Sequence, residues 1–264
     1  MKLTVVGCTG SMSGPASAAS CYLVQADGVG DDGATRVFSI LLDLGPGAFG
    51  QLMNHLDPRD VDLVVLSHLH ADHMADMIGY HVFRRWYPTG ALGPVDVLAP
   101  PDAVDRVRGV GGDGPEEDFS ADFTFRAHEA GHVVRVGPLR IESHRVEHPV
   151  EAWAVRVTGP SASGGGEVSL TYSGDTDACD GLVAAARDVD LFLCEAGFVE
   201  GRDTVRGIHL TGERAGEVAT QARARHLVLT HIQPWTEPEE VAQSASTRFA
   251  GGIEVARAGS VWEL

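Results

Sequence analysis

Three histidines and one aspartate stand within six consecutive residues of this chain. Residues 67–73 read SHLHADH. Neutral imidazole is the commonest metal-ligating side chain, and carboxylate oxygens bind the same borderline divalent cations. If the segment begins extended, His68 and His70 can point to one ion while Asp72 and His73 face a second ion beside it. A solvated polar loop needs no such clustering, so we interpret the segment as a metal-binding motif.

The residues on either side of this motif predict how it is positioned. Leu63–Leu66 is a short run of aliphatic residues, two of them β-branched, which is typical of a buried strand. Met74–Arg85 predicts a helix whose apolar face includes Tyr80 and Phe83. The motif would then lie on a strand-to-helix loop at the edge of a sheet, where α/β proteins usually place their chemistry.

Three further strand-like segments end in residue types that bind metals. The residues are His148, Asp175 and His231, and each follows an apolar run of strand type. Any one of them alone would be interpreted as a cap or as a hydrogen-bonded histidine. Together with the motif they indicate a shared site of five histidines and two aspartates, which is more than one tetrahedral ion can use.

Two segments near the N-terminus have open interpretations. Asp43 ends the predicted strand Val37–Leu42, where it either braces a metal-ligating histidine from behind or caps a turn. Gly7–Pro15 is rich in Gly and Ser and suits close backbone approach. Contact with a phosphate is one use of such a loop, but its spacing matches neither a P-loop nor a dinucleotide fingerprint.

The composition restricts the class of partner. The net charge is −17, and Lys2 is the only lysine. Nucleic-acid affinity depends on neutralising phosphates, so this balance argues against a large RNA substrate. A small anion is compatible with it, because two metal ions can offset the anion's charge. The four cysteines are scattered, which predicts buried thiols instead of a disulfide framework or a thiolate zinc site.

Length and hydropathy predict one cytoplasmic domain. The 264 residues, 44% of them hydrophobic, fit a single hydrolase domain over residues 1–264. No apolar run reaches the roughly 18 residues that a membrane span needs. The strand-like residues after Met1 are too few for the apolar core of a signal peptide.

The order of the predicted elements indicates two sheets with helices outside them. Strand patterns dominate residues 3–42 and return from Ala121–Arg126, where we expect the second sheet to begin. Beyond Tyr172, strands alternate with helices such as Thr211–Arg223 and Glu237–Arg248. These halves predict an α/β fold of two mixed sheets, an αββα sandwich. Gly109–Asp118 is expected to form a surface loop or a mobile lid.

The pattern HxHxDH resembles the signature of the metallo-β-lactamase superfamily. The segments SGDT at 173–176 and LTH at 229–231 are similar to its phosphodiesterase branch, which contains tRNase Z and small cyclic-nucleotide phosphodiesterases. The chain looks closest to actinobacterial phosphodiesterases of this type. The resemblance implies the metallo-β-lactamase fold and a ligand set. The first ion would be bound by His68, His70 and His148, and the second by Asp72, His73 and His231, with Asp175 as the bridge.

The same resemblance implies a mechanism. Two divalent ions, zinc first and manganese or iron as alternatives, would hold a hydroxide between them while Asp72 orients the water. Glu195 and His209 resemble the proton-relay pair of this branch, in which the histidine serves the leaving oxygen. From the residues alone, Glu195 ends an apolar strand and needs a partner, whereas His209 is equally well explained as an ordinary surface histidine.

The substrate implied by the resemblance is a small phosphodiester, above all a 3′,5′-cyclic nucleotide such as cyclic AMP, cleaved by a homodimer. The long basic arm of bacterial tRNase Z has no counterpart here, because the hairpin tip Gly159–Gly166 is short and uncharged. Three alternatives stay open. They are a tRNase Z-type 3′ endoribonuclease, a thioesterase or lactonase that uses the same metals, and a metal-bound binding module without turnover.

Overall fold

Fifteen strands and seven helices make up the computed structural model, which describes residues 1–264. The strands in chain order are β1 (Lys2–Thr9), β2 (Ala18–Ala19), β3 (Cys21–Val29), β4 (Thr35–Leu42), β5 (Leu63–Val65), β6 (Val95–Ala99), β7 (Phe123–Ala127), β8 (Val133–Val136), β9 (Leu139–Arg145), β10 (Trp153–Pro160), β11 (Glu167–Tyr172), β12 (Leu191–Glu195), β13 (His226–Thr230), β14 (Gly252–Val255) and β15 (Val261–Glu263). The helices are α1 (Ala48–Leu52), α2 (Ala71–Met74), α3 (Met77–Arg85), α4 (Ala103–Gly111), α5 (Asp180–Ala185), α6 (Gly212–Ala222) and α7 (Pro238–Ser246), with a 3-10 turn at Pro58–Asp60.

The strands form two sheets. The first has the order β15-β1-β3-β4-β5-β6-β7, with β2 beside β1, and the second has the order β14-β13-β12-β11-β10-β9-β8. Strands β4 to β7 run parallel, and so do β11 to β14. Parallel strands end at the same edge of a sheet, so each sheet presents a row of strand-end loops there.

Neighbouring residues of a strand pack on opposite faces of its sheet. In β5, Leu63 and Val65 belong to the apolar core between the two sheets, while Val64 packs outward. The outward core of the first sheet includes residues of α1, α3 and α4, and that of the second sheet includes residues of α5, α6 and α7. Helices therefore cover both outer faces, and the predicted αββα sandwich is confirmed.

The predicted helix Met74–Arg85 is broken at its start. Helix α2 already begins at Ala71, inside the metal-binding motif, and α3 begins only at Met77. At this break the chain also bonds to Leu44, besides its local backbone bonds. The Leu44 amide donates to the carbonyl of His73 at 2.7 Å, and the Asp76 amide donates to the carbonyl of Leu44 at 3.2 Å. This contact ties the end of the motif to the loop after β4.

The strand predicted at Ala121–Arg126 exists, but it belongs to the first sheet and not to the second, where the sequence predicts it. Strand β7 pairs in parallel with β6, with Val95 opposite Phe123, and it forms the edge of the first sheet. Helix α4 follows β6 and precedes β7 along the chain, so the three elements form a β-α-β unit. In such a unit the second strand pairs in parallel within the same sheet as the first. The second sheet begins at β8 instead.

None of the seven helices has the length and hydropathy that crossing a membrane requires. The short elements α1, α5, β14 and β15 were not predicted. Each has six residues or fewer, which leaves little periodicity to detect.

Candidate metal centre

Three imidazoles converge after strands β5 and β9. The His70 Nδ1 atom lies 3.1 Å from the Nε2 atom of His68 and 3.1 Å from the Nε2 atom of His148. His68 is fully buried, and the other two are partly exposed. Three ring nitrogens directed at one point form a ligand set for a borderline cation. We name these residues the first half-site.

A second group of side chains meets beside the first. The His73 Nε2 atom lies 3.3 Å from the Asp72 Oδ2 atom and 3.2 Å from the Asp175 Oδ1 atom. The His231 Nε2 atom lies 3.3 Å from the other oxygen of Asp175. We name Asp72, His73 and His231 the second half-site. Asp175 lies between the half-sites, because its Oδ2 atom is also 3.7 Å from His68 Nε2.

Two atoms of this centre test whether it suits a cation. The His73 Nε2 atom and the Asp175 Oδ1 atom are buried and have no hydrogen-bond partner. A buried polar atom without a partner costs about 1–3 kcal/mol, so such atoms are rare unless something else satisfies them. A divalent ion accepts a lone pair from both atoms at once, and the residues therefore fit the implied metal. The structure brings together all seven residues that the sequence nominated as ligands.

Asp43 braces the second half-site from behind. Its Oδ2 atom lies 2.6 Å from His73 Nδ1 and accepts a hydrogen bond from the Tyr172 hydroxyl at 2.7 Å. The amide and hydroxyl of Ser67 donate to its two carboxylate oxygens at 2.6 and 2.7 Å. Asp43 is fully buried and has a φ of 61°. Of the two interpretations offered by the sequence, bracing a histidine is the one that the structure supports.

Two further histidines of the centre, His148 and His231, are held by neutral groups. The His148 Nδ1–H donates to the carbonyl of Ile208 at 2.9 Å. The Nδ1 atom of His231 lies 3.2 Å from the Ser20 hydroxyl. Such contacts on the far ring nitrogen set the tautomer and direct the near nitrogen to the centre, where the Nε2 atom of His231 also accepts a hydrogen bond from the Ser11 amide at 3.3 Å.

The two half-sites differ in their affinity for protons. Burial lowers the pKa of His68 well below its usual value, and burial followed by the nearby His148 lowers the pKa of His70. Burial also disfavours the charged form of His73, but the negative charges of Asp175 and Asp43 outweigh it and raise its pKa well above the usual value. In the second half-site burial also lowers the pKa of His231, so the contrast with the neutral imidazoles of the first is made by His73 and the negative charges around it.

Glycine allows the loop at Gly7–Pro15 to pack against His231, one of the candidate metal-binding residues. A Cβ atom on Gly10 would lie 2.1 Å from the carbonyl oxygen of His231. The Ser11 amide is 3.3 Å from the Nε2 atom of the same histidine. The close backbone approach expected for this loop is therefore made to His231, and contact with a phosphate stays a prediction. Gly45 has the same role behind Asp72. A Cβ atom on Gly45 would lie 2.0 Å from the carbonyl oxygen of Asp72.

Glu195 and His209 lie together at the rim of the centre. The His209 Nδ1–H donates to Glu195 Oε1 at 2.9 Å, and the amides of Thr176 and Gly197 donate to the same carboxylate at 2.9 Å each. Glu195 is fully buried. Burial lowers the pKa of His209, but the charge of Glu195 outweighs it and raises the pKa to about 9. The imidazole ring packs 5.3 Å from that of His231, measured between centroids.

A cavity of about 490 Å³ opens beside the first half-site. Its lining residues are His70 together with Leu69, Pro100, Pro101, Asp102, Asp105, Arg106, Val150 and Glu151. The Arg106 Nε–H donates to the carbonyl of Leu69 at 3.0 Å, which ties α4 to the metal-binding motif. Nothing in the sequence alone indicated that these separate loops share one cavity.

Sequence reasoning also missed His128. This histidine is buried, stacks on Trp153, donates from Nε2 to the carbonyl of Leu66 at 3.0 Å and lies 2.8 Å from the Ser143 hydroxyl. Leu66 directly follows β5 and precedes the motif by one residue, so His128 supports the backbone that carries His68. His128 carries no local signal, because a single histidine after a strand is most often structural.

The segment Gly109–Asp118 contacts helices and not the metal centre. Its first three residues complete α4. Glu117 forms an ion pair with Arg85 of α3, and its carbonyl accepts a hydrogen bond from Arg108 at 2.8 Å. These contacts hold the segment on α3 and α4, and a role as a lid stays a prediction.

Comparison with known proteins agrees with this geometry. A family model described as a β-lactamase superfamily domain matches residues 39–232. An uncharacterized protein of Mycobacterium leprae is 40% identical over 100% of this chain and 89% of that protein. The probable metallo-hydrolase YhfI of Bacillus subtilis is 30% identical over the full length of both chains. Ribonuclease Z of Streptomyces coelicolor is 27% identical over 89% of this chain and 88% of that enzyme.

Solved structures share the fold. The crystal structure of YhfI superposes with a TM-score of 0.83 at 24% identity and covers 100% of this chain and 99% of that one. The short form of human tRNase Z gives a TM-score of 0.71 at 19% identity over 100% and 99% of the two chains. A diphosphatase of the PhnP family gives a TM-score of 0.71 at 19% identity and covers 100% of this chain and 97% of that one.

Proposed function

This chain belongs to the β-lactamase superfamily and is a metal-dependent hydrolase, and from that premise we propose that it cleaves a small phosphodiester, in particular a 3′,5′-cyclic nucleotide such as cyclic AMP. The observation that carries the proposal is the pairing of a seven-ligand centre with the buried Glu195–His209 pair. A carbonyl hydrolase of the same fold needs the metals, but it has no need of the pair.

Two divalent ions, zinc in our proposal, would polarise the phosphoryl oxygens and lower the pKa of a water molecule to about 7. The chain's own residues supply the rest. Asp72 is the most exposed carboxylate of the centre, with 15% of its side chain accessible, so it is placed to accept a hydrogen bond from the attacking water and orient it. Asp175, which is buried between the half-sites, holds them at a fixed separation.

His209 is placed to donate a proton. Its Nδ1 atom is held by Glu195 at 2.9 Å, so the opposite nitrogen, Nε2, is the one left for the substrate. A pKa of about 9 keeps the ring protonated at neutral pH, and a protonated imidazole at this position stabilises charge on the leaving oxygen or protonates it. Positioned acids of this kind contribute about 10²–10⁴-fold to the rate.

Size and charge favour a small substrate. The cavity beside His70 has about 490 Å³, within the roughly 300–1,000 Å³ of pockets that hold small molecules. The net charge of −17 opposes binding of a polyanion. The likeness to ribonuclease Z supports a second candidate, a 3′ endoribonuclease, because the fold and the motifs of the centre suit both.

One assay separates the candidates. The purified protein, with its metal content measured by elemental analysis, is given bis-p-nitrophenyl phosphate, then a panel of cyclic nucleotides, a precursor tRNA and a thioester. Our proposal predicts two metal ions per chain and turnover of the diester and of a cyclic nucleotide. Trimming of the precursor tRNA without turnover of any cyclic nucleotide would establish the endoribonuclease, and thioester cleavage alone would establish the carbonyl hydrolase.

The same assay tests His209. His209→Ala should keep its metals and slow the hydrolysis of substrates with poor leaving groups most, since p-nitrophenolate leaves without a proton. If good and poor leaving groups slow equally, or if an ion is lost, His209 is a ligand or a binding contact. We also expect a homodimer, which light scattering on the eluted protein tests.

A further inference from the structure

The segment Val199–Ile208, which we name the strap, connects the two sides of the rim. His209 directly follows its last residue. The carbonyl of Ile208, that last residue, accepts the hydrogen bond from His148 Nδ1 at 2.9 Å. The strap thus touches both a ligand of the first half-site and the proposed proton donor. Any displacement of the strap would move both imidazoles.

The strap has little structure of its own. It contains neither helix nor strand, and most of its residues are exposed. Residues 204–208 make no backbone–backbone hydrogen bond at all. Exposed backbone without such bonds opens easily unless side chains hold it. Something outside the strap must therefore fix its second half.

A buried carboxylate makes those contacts. Asp177 has 2% of its side chain exposed and accepts hydrogen bonds from the Gly207 amide at 2.8 Å and from Arg206 Nε at 2.6 Å. Its other oxygen accepts from Arg214 of α6 at 2.6 Å and from the Ala178 amide at 2.7 Å. We name Asp177, Arg206 and Arg214 the clamp. The clamp joins the strap to the loop that carries Asp175 and to a helix of the outer layer.

The carboxylate is itself anchored on the other side of the rim. The Asp177 amide donates to the carbonyl of Glu147 at 2.9 Å, and the two residues form a β-bridge. Glu147 directly precedes His148. One side chain therefore holds the strap against the backbone of the histidine that the strap also contacts. We propose that Asp177 is a positioning residue, which through the clamp and the strap sets the imidazoles of His148 and His209.

This inference rests on the proposed function where it concerns His209, and hydrogen–deuterium exchange of the strap tests it separately from activity. In Asp177→Asn, peptides that cover residues 199–211 should exchange faster than in the wild type. With metal in excess, kcat for a poor leaving group should fall about 10–100-fold, the usual cost of losing a group that holds a catalytic residue or a ligand. The loss should be smaller for bis-p-nitrophenyl phosphate, and KM should change little.

Two further variants guard against a trivial loss of fold. Arg206→Gln removes a guanidinium whose side chain is 64% exposed, so it should fold and show a weaker form of the same effects. Arg206→Lys should protect the strap from hydrogen–deuterium exchange better than Arg206→Gln does, but less well than the wild type. Lysine keeps the positive charge but cannot donate two parallel hydrogen bonds as arginine does. Asp188→Asn is the matched control. It breaks another aspartate–arginine pair, with Arg223 at 2.8 Å, before the start of β12 and thus away from Glu195 at its end.

The outcomes are distinct. If Asp177→Asn lowers only the melting temperature, and its strap exchange and leaving-group dependence match those of the Asp188→Asn control, the clamp is merely structural and the inference is wrong. If the wild type hydrolyses no phosphodiester, the proposed function fails, and the exchange data then decide alone. In that case, unchanged hydrogen–deuterium exchange of the strap in Asp177→Asn would refute the role of Asp177 in holding it. Faster exchange confined to the strap would support that role.

Discussion

The two half-sites use the same imidazole chemistry in different surroundings. In the first, His70 and His148 are partly exposed, a cavity opens beside them, and the group behind His148 is a neutral carbonyl. In the second, His73 and His231 are buried, and a carboxylate stands behind His73 at 2.6 Å. Of the two unpartnered buried atoms of the centre, one is Nε2 of His73 and the other is the Asp175 oxygen that lies 3.2 Å from it.

This difference indicates that the two half-sites hold a cation with different strength. Negative charge in a buried site attracts a cation strongly, because little solvent screens it. If each half-site holds one ion, as we propose, the second should retain its ion, whereas the first, which is more open, should exchange its ion more readily and meet the substrate. The hydrogen bond of the strap to the half-sites goes to His148 of the first, so in the proposed two-ion centre the more exchangeable ion would also lie beside the more weakly held backbone.

The largest expected effect comes from removing one ligand on each side. His73→Ala leaves Asp43, Asp72 and Asp175 facing one another without the imidazole. We expect it to lose the second ion and weaken the first, since Asp175 is shared. Activity on every substrate should fall well beyond the roughly 10–100-fold that follows loss of a supporting group. His70→Ala should lose only the first ion. Elemental analysis of both variants checks the comparison, and the reverse order of metal loss would refute it.

A smaller effect is expected from the group behind the ligand. Asp43→Asn keeps the shape and tolerates the positive φ, but it removes the charge behind His73. The affinity of the second half-site should fall about 10–100-fold. Ser20→Ala, behind His231, removes a neutral hydroxyl at 3.2 Å and should cost less. Competition against a chromogenic chelator measures both. Equal affinities in Asp43→Asn and the wild type would show that charge behind the ligand does not distinguish the half-sites.

The sequence predicted that the candidate ligands would meet, because the motif follows an apolar strand and His148, Asp175 and His231 each follow another. That pattern is local, and parallel strands bring their ends together whatever the intervening loops do. The order of the elements, with two strand-rich halves each followed by helices, predicted the sandwich. It failed for the strand at Phe123–Ala127, since its sheet depends on pairing with β6, which no local pattern encodes.

The supporting residues were harder to predict for the same reason. The sequence does not decide between the two interpretations of Asp43, because its contact with His73 spans 30 residues of sequence. The sequence does not predict the helix start at Ala71, because the N-cap residue His70 makes no side-chain capping hydrogen bond and so leaves no local signal. Asp177 and His128 belong to this class too. Their partners lie on other strands and loops, and their own neighbours in sequence say nothing about them.

His128 provides the smallest of the expected effects, because it supports the first half-site only through the backbone. Burial lowers its pKa to about 4 from a usual value near 6.5. The unfolded chain therefore binds a proton as the pH falls through 6.5, while the folded protein resists until about 4. The stabilisation from neutral His128 is complete above pH 6.5 and is lost progressively between 6.5 and 4, by at most about 3 kcal/mol.

His128→Gln removes this titration and keeps a neutral side chain at the site. In chelated protein, the difference in unfolding free energy between the wild type and this variant should shrink as the pH falls from 7.5 to 4.5. Urea unfolding at several pH values measures it, with the exposed His132→Gln as control. Parallel pH profiles for the wild type and His128→Gln would mean that the imidazole charges without breaking its bond to Leu66. In that case the first half-site would not depend on a neutral His128 in the way that the second depends on Asp43. The two half-sites would then differ only in their metal-binding residues.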